Sequence, residues 1–387
     1  MASKKLLIVT DINHASPRIR GLLKYLNPFG WDATVITPPA LTPTQRYLPR
    51  LNCFRTLRPF RNFAVRRYHE LFDYPDGHKR SLKQFIDAGR RALKRSKFNL
   101  ILSSSSPVTC HLAAKQLKQQ FNLPWIAEFR DLWSANANYP YTKMRHAVDW
   151  KLERETMETA DALVTVSEPM AETLRQQHHK QVYVVPTGFD PDTRNVGSWL
   201  TDKFTITYTG QIYPQQDPTR VMVALEYLFA KNVLNREDVE LRFYGLKNHR
   251  ITDAAKALDL SDVVHQHGLV SREEALARQR ESQVLLVLKW EDPKQKGIYC
   301  GKVFEYLAAE RPILASGGSA DVMTDLLAST QAGVDAQSTF AVKVALERFY
   351  REYKNYGKTR WWGNRQRVDE HSFVEMARKY AYVLNNN

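Results

Sequence analysis

Residues 5–37 read KLLIVTDINHASPRIRGLLKYLNPFGWDATVIT. The run from Lys5 to Thr10 has the length of a buried strand and ends in polar Asp11, Asn13 and His14. A helical stretch from Arg18 to Leu26 follows, and Gly30 precedes a second strand at Ala33 to Thr37. Strand, helix and strand at this spacing predict a parallel sheet with helical crossovers. The rhythm continues with strands at Leu100 to Leu102, Trp125 to Phe129, Ala162 to Val166 and Val182 to Val185, separated by helices at Thr109 to Gln120, around Ala147 to Thr159, and from Pro169. That accounts for one doubly wound domain.

The pattern then restarts. Strands at Phe204 to Thr209 and Val239 to Tyr244 are closed by Gly210 and Gly245. Further strands are expected at Val263 to His267, Val284 to Leu288 and Pro312 to Ala315. The helices between them are Thr219 to Lys231, Asp253 to Leu258, Arg272 to Glu281 and Lys302 to Ala309. A length of 387 residues suits two such domains. The fold class expected is α/β, two Rossmann-like doubly wound domains facing across a cleft lined by the carboxyl ends of their strands. Residues 1–190 form the first domain, 191–202 a Pro- and Gly-containing linker, 203–345 the second domain, and 346–387 a helical tail returning to the first.

Cys53, Cys110 and Cys300 are far apart, odd in number and without CxxC spacing, which argues against a disulfide framework or a structural zinc site and fits a reducing compartment. The apolar stretch Leu6 to Val9 is too short for a signal peptide, and no apolar run is long enough to cross a bilayer. Charge is lopsided: residues 1–200 hold 30 Lys and Arg against 17 Asp and Glu, a net of +13, leaving +2 for the remainder. A basic first half attracts anionic lipid, nucleic acid or a phosphorylated acceptor.

Residues 297–316, GIYCGKVFEYLAAERPILAS, resemble the donor-binding motif of GT-B glycosyltransferases, particularly the retaining enzymes of family 4. In order along the chain, Ser103 to Trp133, Ala160 to Ser167, Val185 to Asp190 (VPTGFD) and Tyr208 to Gln211 (YTGQ) are similar to other parts of that family. The resemblance covers residues 5 to 335. It implies transfer of a hexose-type residue from a nucleotide diphosphate sugar to a glycan or lipid-linked acceptor, with retention and without a metal or other cofactor. Glu305 takes the ribose-binding role by resemblance, a task that suits a carboxylate accepting from two neighbouring hydroxyls. The implied donor-binding set is Gly210, Gln211, Tyr244, Gly245, Gly297, Ile298, Tyr299, Lys302, Val303 and Glu305.

Two departures stand out. The family's second glutamate is Gly297 here, and its usual arginine after the first strand of the second domain is Gln211. Departing diphosphate gains negative charge, so a cationic clamp is expected from elsewhere, with Lys289, Lys302 and Arg220 as candidates. On the acceptor side, Glu128, Arg130 and Asp131 follow a strand directly, and a carboxylate there orients the acceptor hydroxyl or takes its proton, with His111 as an alternative. An internal Arg130 salt bridge with either neighbour is the competing assignment. Asp11, Asn13 and His14 complete the acceptor-side set. Asp190-Pro191-Asp192 has the letters of a metal-binding DxD motif but falls in the linker, so no metal is expected.

Between Arg46 and Arg67 there are seven arginines interleaved with Tyr47, Phe54, Phe60 and Phe63, and no acidic residue. Arg55, Arg58, Phe60, Arg61, Phe63, Arg66 and Arg67 are the expected membrane-binding residues, placing the protein on the cytoplasmic face of an anionic membrane. Single-stranded nucleic acid and a plain solvated loop are the competing assignments for this segment. For the whole chain, the alternatives are a catalytically reduced GT-B scaffold subunit and a sugar-nucleotide epimerase.

Overall fold

The computed structural model describes residues 3–12, 17–38, 67, 70, 73–139, 141–194 and 199–387. The chain divides into two compact units. The first comprises Met1–Pro186 with Met376–Asn387, and the second comprises Thr187–Glu375.

In the first unit, strands β1 (Lys4–Val9), β2 (Trp31–Ile36), β3 (Leu100–Ser105), β4 (Trp125–Phe129), β5 (Ala162–Thr165) and β6 (Val182–Val184) form one sheet in the order β2-β1-β3-β4-β5-β6. All neighbours are parallel. Crossovers carry α1 (Pro17–Tyr25), α2 (Leu82–Arg95), α3 (Thr109–Phe121), α4 (Lys143–Met157) and α5 (Glu168–His178). Central strands β3 and β4 are buried on both faces, as parallel strands between helical layers must be. Helix α2, which the sequence reading does not contain, approaches α3 so closely that a Cβ on Gly89 would lie 2.4 Å from a methyl of Leu117.

The second unit repeats the design with β7 (Phe204–Thr209), β8 (Val239–Tyr244), β9 (Val264–Gly268), β10 (Val284–Leu288), β11 (Ile313–Ser316) and β12 (Gly333–Ala336), ordered β12-β11-β10-β7-β8-β9 and again parallel. Its helices are α6 (Thr219–Ala230), α7 (His249–Ala257), α8 (Arg272–Glu281), α9 (Lys302–Ala309), α10 (Val322–Thr330), α11 (Thr339–Tyr356) and α12 (Arg365–Asp369). The tail boundary expected at 345/346 falls inside α11. Val342, Leu346 and Phe349 on that helix pack with Phe204 and Leu241 in the core, so α11 belongs to this unit. The expected linker 191–202 also starts late, because Phe189 is already buried with Val303 and Phe304. The last helix, α13 (Phe373–Asn385), passes into the first unit from Met376.

Candidate functional site

The carboxyl ends of β7 and β8 meet through glycine. Gly210 donates its N–H to the Tyr244 carbonyl at 2.7 Å, and a Cβ on Gly245 would sit 2.2 Å from the Gly210 carbonyl oxygen. No side chain could be accommodated there. The space above Gly210 is taken by Lys302, whose Cε would be 3.2 Å from a Cβ at Gly210. Lys302 Nζ lies 2.5 Å from the Tyr208 hydroxyl and 3.9 Å from the centre of that ring. The Tyr208 hydroxyl donates to the Gln211 carbonyl at 2.8 Å, which fixes the turn after β7.

Lys302 is the first residue of α9. Its N-cap is Gly301, and no side chain caps it. An N-terminus of this kind presents backbone N–H groups and the positive end of the helix dipole, which suit phosphate. Glu305 stands in the first turn. Its Oε1 forms an ion pair with Arg272 Nη2 at 2.9 Å, and its Oε2 accepts from Gln279 Nε2 at 3.3 Å. Gln279 is buried and also donates to the Thr209 hydroxyl at 3.0 Å, tying Glu305 to the end of β7. At the neighbouring strand ends, Tyr244 stacks on His267 with centroids 4.5 Å apart, and Leu246 and Leu269 are exposed just beyond Gly245 and Gly268.

Gly210, Gln211, Tyr244, Gly245, Lys302 and Glu305 are thus gathered at one edge of the second sheet. Gly297 is buried, whereas Ile298 and Tyr299 are half-buried in the loop before α9. Tyr299 leans on Phe304 at 5.4 Å. The Val303 side chain points the other way, into the core with Leu285 and Leu307, so at most its backbone faces a ligand. Arg272 and Gln279 are absent from the sequence-derived set. Arg272 begins α8 directly after its N-cap Ser271, which is the only local signal for it.

Lys289 corrects an expectation. Its ammonium is buried and lies 2.8 Å from Asp335 Oδ1, 2.9 Å from Asp335 Oδ2 and 3.1 Å from Asp321 Oδ1, with further bonds to the Ser319 carbonyl and Thr324 hydroxyl. Desolvated and held by two carboxylates, it stitches β10 to β12 and α10 and is not available to a diphosphate. Arg220 is paired with Glu291 at 2.7 Å. Of the three candidate cations, Lys302 alone has no carboxylate partner among the described residues.

In the first unit, Glu128 is sealed from solvent. It pairs with Arg18 Nε at 2.5 Å and accepts from the Tyr380 hydroxyl on α13. Burial alone would raise its pKa, but Arg18 and Tyr380 hold it below the ordinary carboxylate range. It is a fixed structural anion and cannot take an acceptor proton. His111 is likewise enclosed between Trp125 and Phe129, with Nδ1 2.7 Å from the Ser103 hydroxyl. Burial lowers its pKa to about 3, so it stays neutral and does not serve as a proton handler near neutrality. Arg130 donates to the Ser105 and Ser106 carbonyls, both at 2.6 Å, and forms neither anticipated ion pair. Asp131 is exposed just past β4. Asp11 is buried 3.5 Å from His78. Asn13 and His14 lie outside the described residues, as do Arg55, Arg58, Phe60, Arg61, Phe63 and Arg66. Arg67 pairs with Glu70 at 2.7 Å. Among the described residues, no cluster of three or more His, Cys, Asp or Glu suited to a metal occurs.

Two parallel six-stranded Rossmann-like sheets define the GT-B class. Solved structures share this fold. They include sucrose-phosphate synthase of Thermosynechococcus elongatus (TM-score 0.65, 15% identity, covering 99% of this chain and 98% of that one). HepE of Anabaena, in complex with UDP and glucose, aligns with TM-score 0.66 and 10% identity over 99% of this chain and all of that one. A glycosyltransferase of Rickettsia africae aligns with TM-score 0.67 and 12% identity over 100% and 99% of the two chains. No curated protein matches in sequence. Residues 16–193 match the model of Glycosyltransferase Family 4. The chain thus has the fold of GT-B glycosyltransferases, and its match to the family 4 model lies in the first half.

Proposed function

We propose that the chain transfers a hexose-type residue from a nucleotide diphosphate sugar to a glycan or lipid-linked acceptor, with retention and without a metal. The observation that carries this is the juxtaposition of glycine-lined strand ends, Lys302, an α9 N-terminus without a side-chain cap, and Glu305 one turn further on. In this reading the ribose hydroxyls donate to Glu305, and Lys302 with the α9 N–H groups receives the diphosphate. The bond from the anomeric carbon to the diphosphate oxygen breaks as the acceptor oxygen bonds that carbon and passes its proton to the departing diphosphate oxygen. Charge accumulates on the departing phosphate, where Lys302 stabilises it. Asp131, exposed just past β4 of the first unit, is the carboxylate of the acceptor-side set that remains open to solvent. HepE has also been solved with UDP-glucose, so UDP sugars are the first donors to test.

The arginine-rich run from 46 to 67 supports work at an anionic membrane surface. Helix α4 adds to it, with Met144 (75% exposed), Val148 and Trp150 outward beside Lys143 and Lys151. No described helix is long and apolar enough to cross a membrane. Co-flotation with vesicles of anionic lipid, lost at high salt and with Met144→Asp, tests this part. The donor site is tested by calorimetry with UDP, GDP, ADP and dTDP against wild type and Glu305→Ala. A nucleotide bound by wild type and lost in the variant supports the site, and equal binding by both overturns it.

The loss of the family's acidic and basic residues at Gly297 and Gln211, together with the capture of Lys289 by two aspartates, favours a second reading as a nucleotide-binding subunit with little turnover. Release of sugar from the bound donor by the purified protein separates the two.

A further inference from the structure

Resting on the donor site proposed above, we infer that Arg272 and Gln279 are positioning residues that set the Glu305 carboxylate for two adjacent ribose hydroxyls, and so make the site select ribonucleotides over 2′-deoxyribonucleotides. Arg272 Nη2 forms an ion pair with Glu305 Oε1 at 2.9 Å, and Gln279 donates a hydrogen bond to Oε2 at 3.3 Å. A carboxylate oxygen accepts about two. Acceptor capacity therefore remains on both oxygens, which suits a pair of neighbouring hydroxyls.

The ion pair and the hydrogen bond engage the two oxygens of the carboxylate separately. Gln279 is buried and anchored on Thr209 at the end of β7, so it does not yield. Arg272 is held at the start of α8, where the Ser271 side chain accepts from the Glu274 N–H at 3.1 Å. Its side chain is 50% exposed and that of Glu305 26% exposed. The pair therefore lies at the rim, where an arriving nucleotide displaces water. A carboxylate free to rotate would satisfy one hydroxyl as well as two. One held at both oxygens gains from both, and a missing 2′-hydroxyl leaves an oxygen short of a partner.

Calorimetry with the ribo and 2′-deoxy forms of UDP, GDP and ADP tests this on wild type, Arg272→Ala, Arg272→Lys and Glu305→Ala. Wild type is expected to prefer the ribo form of its nucleotide by about tenfold or more. Arg272→Ala weakens the ribo form about tenfold and leaves the deoxy form nearly unchanged, with the unliganded melting temperature unaltered. Arg272→Lys restores part of the preference, since a point charge replaces the planar fork. Retention of the full preference in Arg272→Ala, or equal loss of both forms, overturns the inference. If Glu305→Ala abolishes the preference while Arg272→Ala keeps it, the assignment to Arg272 alone fails. If Glu305→Ala binds as wild type, or wild type binds none of the nucleotides, the donor-site reading itself fails.

Discussion

Arg18 Nε donates to Glu128 Oε1 at 2.5 Å, and neither side chain touches solvent. The guanidinium also donates to the Tyr380 hydroxyl at 2.9 Å, so α1, β4 and α13 share one buried polar group. Glu128 sits at a strand end where α/β proteins often present ligand-binding groups, but here its charge is spent within the unit.

Acid lability with two origins is the first consequence. Burial would raise the Glu128 pKa, yet its partners hold it below the usual value, so its contribution is complete above about pH 4.3 and is lost as pH falls through the lower native value. His111 has the opposite charge sense. Buried and neutral with a native pKa of about 3, it costs stability progressively as pH drops below about 6.5 and levels off near 3. Urea midpoints measured from pH 8 to 3 should show a flatter upper window in His111→Leu and a flatter lower window in Glu128→Gln. Glu128→Gln should also lose about 3–5 kcal/mol at neutral pH, because Arg18 is left buried without its counter-ion.

Lys289→Met should unfold the second unit more readily without entering the chemistry. Removing the ammonium leaves Asp321 and Asp335 facing each other with no cation between them. A loss of about 3–5 kcal/mol is expected by thermal or urea melting. Nucleotide affinity of the fraction that remains folded should equal that of wild type. A specific loss of affinity at unchanged stability would return Lys289 to the donor site.

Gly245→Ala places a methyl carbon 2.2 Å from the Gly210 carbonyl, a contact only backbone movement relieves. Overpacking of this kind costs about 1–3 kcal/mol. Because Gly210 is itself one wall of the proposed diphosphate site, donor affinity should fall together with the melting temperature. Parallel measurement of the two checks the link.

Lys302→Ala should reduce the rate of transfer by about a hundredfold, the usual loss when one electrostatic stabiliser of a developing anion is removed. Its effect on kcat should exceed its effect on donor KM, whereas Glu305→Ala should act mainly on KM. Lys302→Arg should recover only part of the rate, since the Tyr208 ring below leaves room for an ammonium at 3.9 Å.

Period and punctuation made much of the architecture readable. Strands β4, β7, β8 and β10, and helices α8 and α9, have the ends expected from their apolar runs and closing residues. β12 escaped because Gly333 to Ala336 contains one β-branched residue and an aspartate, and it exists by pairing with β11. The donor edge was legible through a contiguous motif, but the partners of its charges were not. Nothing in the sequence near position 289 announces Asp321 and Asp335, and nothing near 128 announces Arg18 or Tyr380. Such partners are brought together by strand order, which acts over distances along the chain that local patterning does not span.

Tyr380 follows the whole of the second unit along the chain and yet completes a buried polar group begun by Arg18, which precedes it. During synthesis the ribosome therefore releases the entire second Rossmann-like body before the first can be sealed. Until then the ion pair of Arg18 and Glu128 lacks the hydroxyl that bonds both of its members.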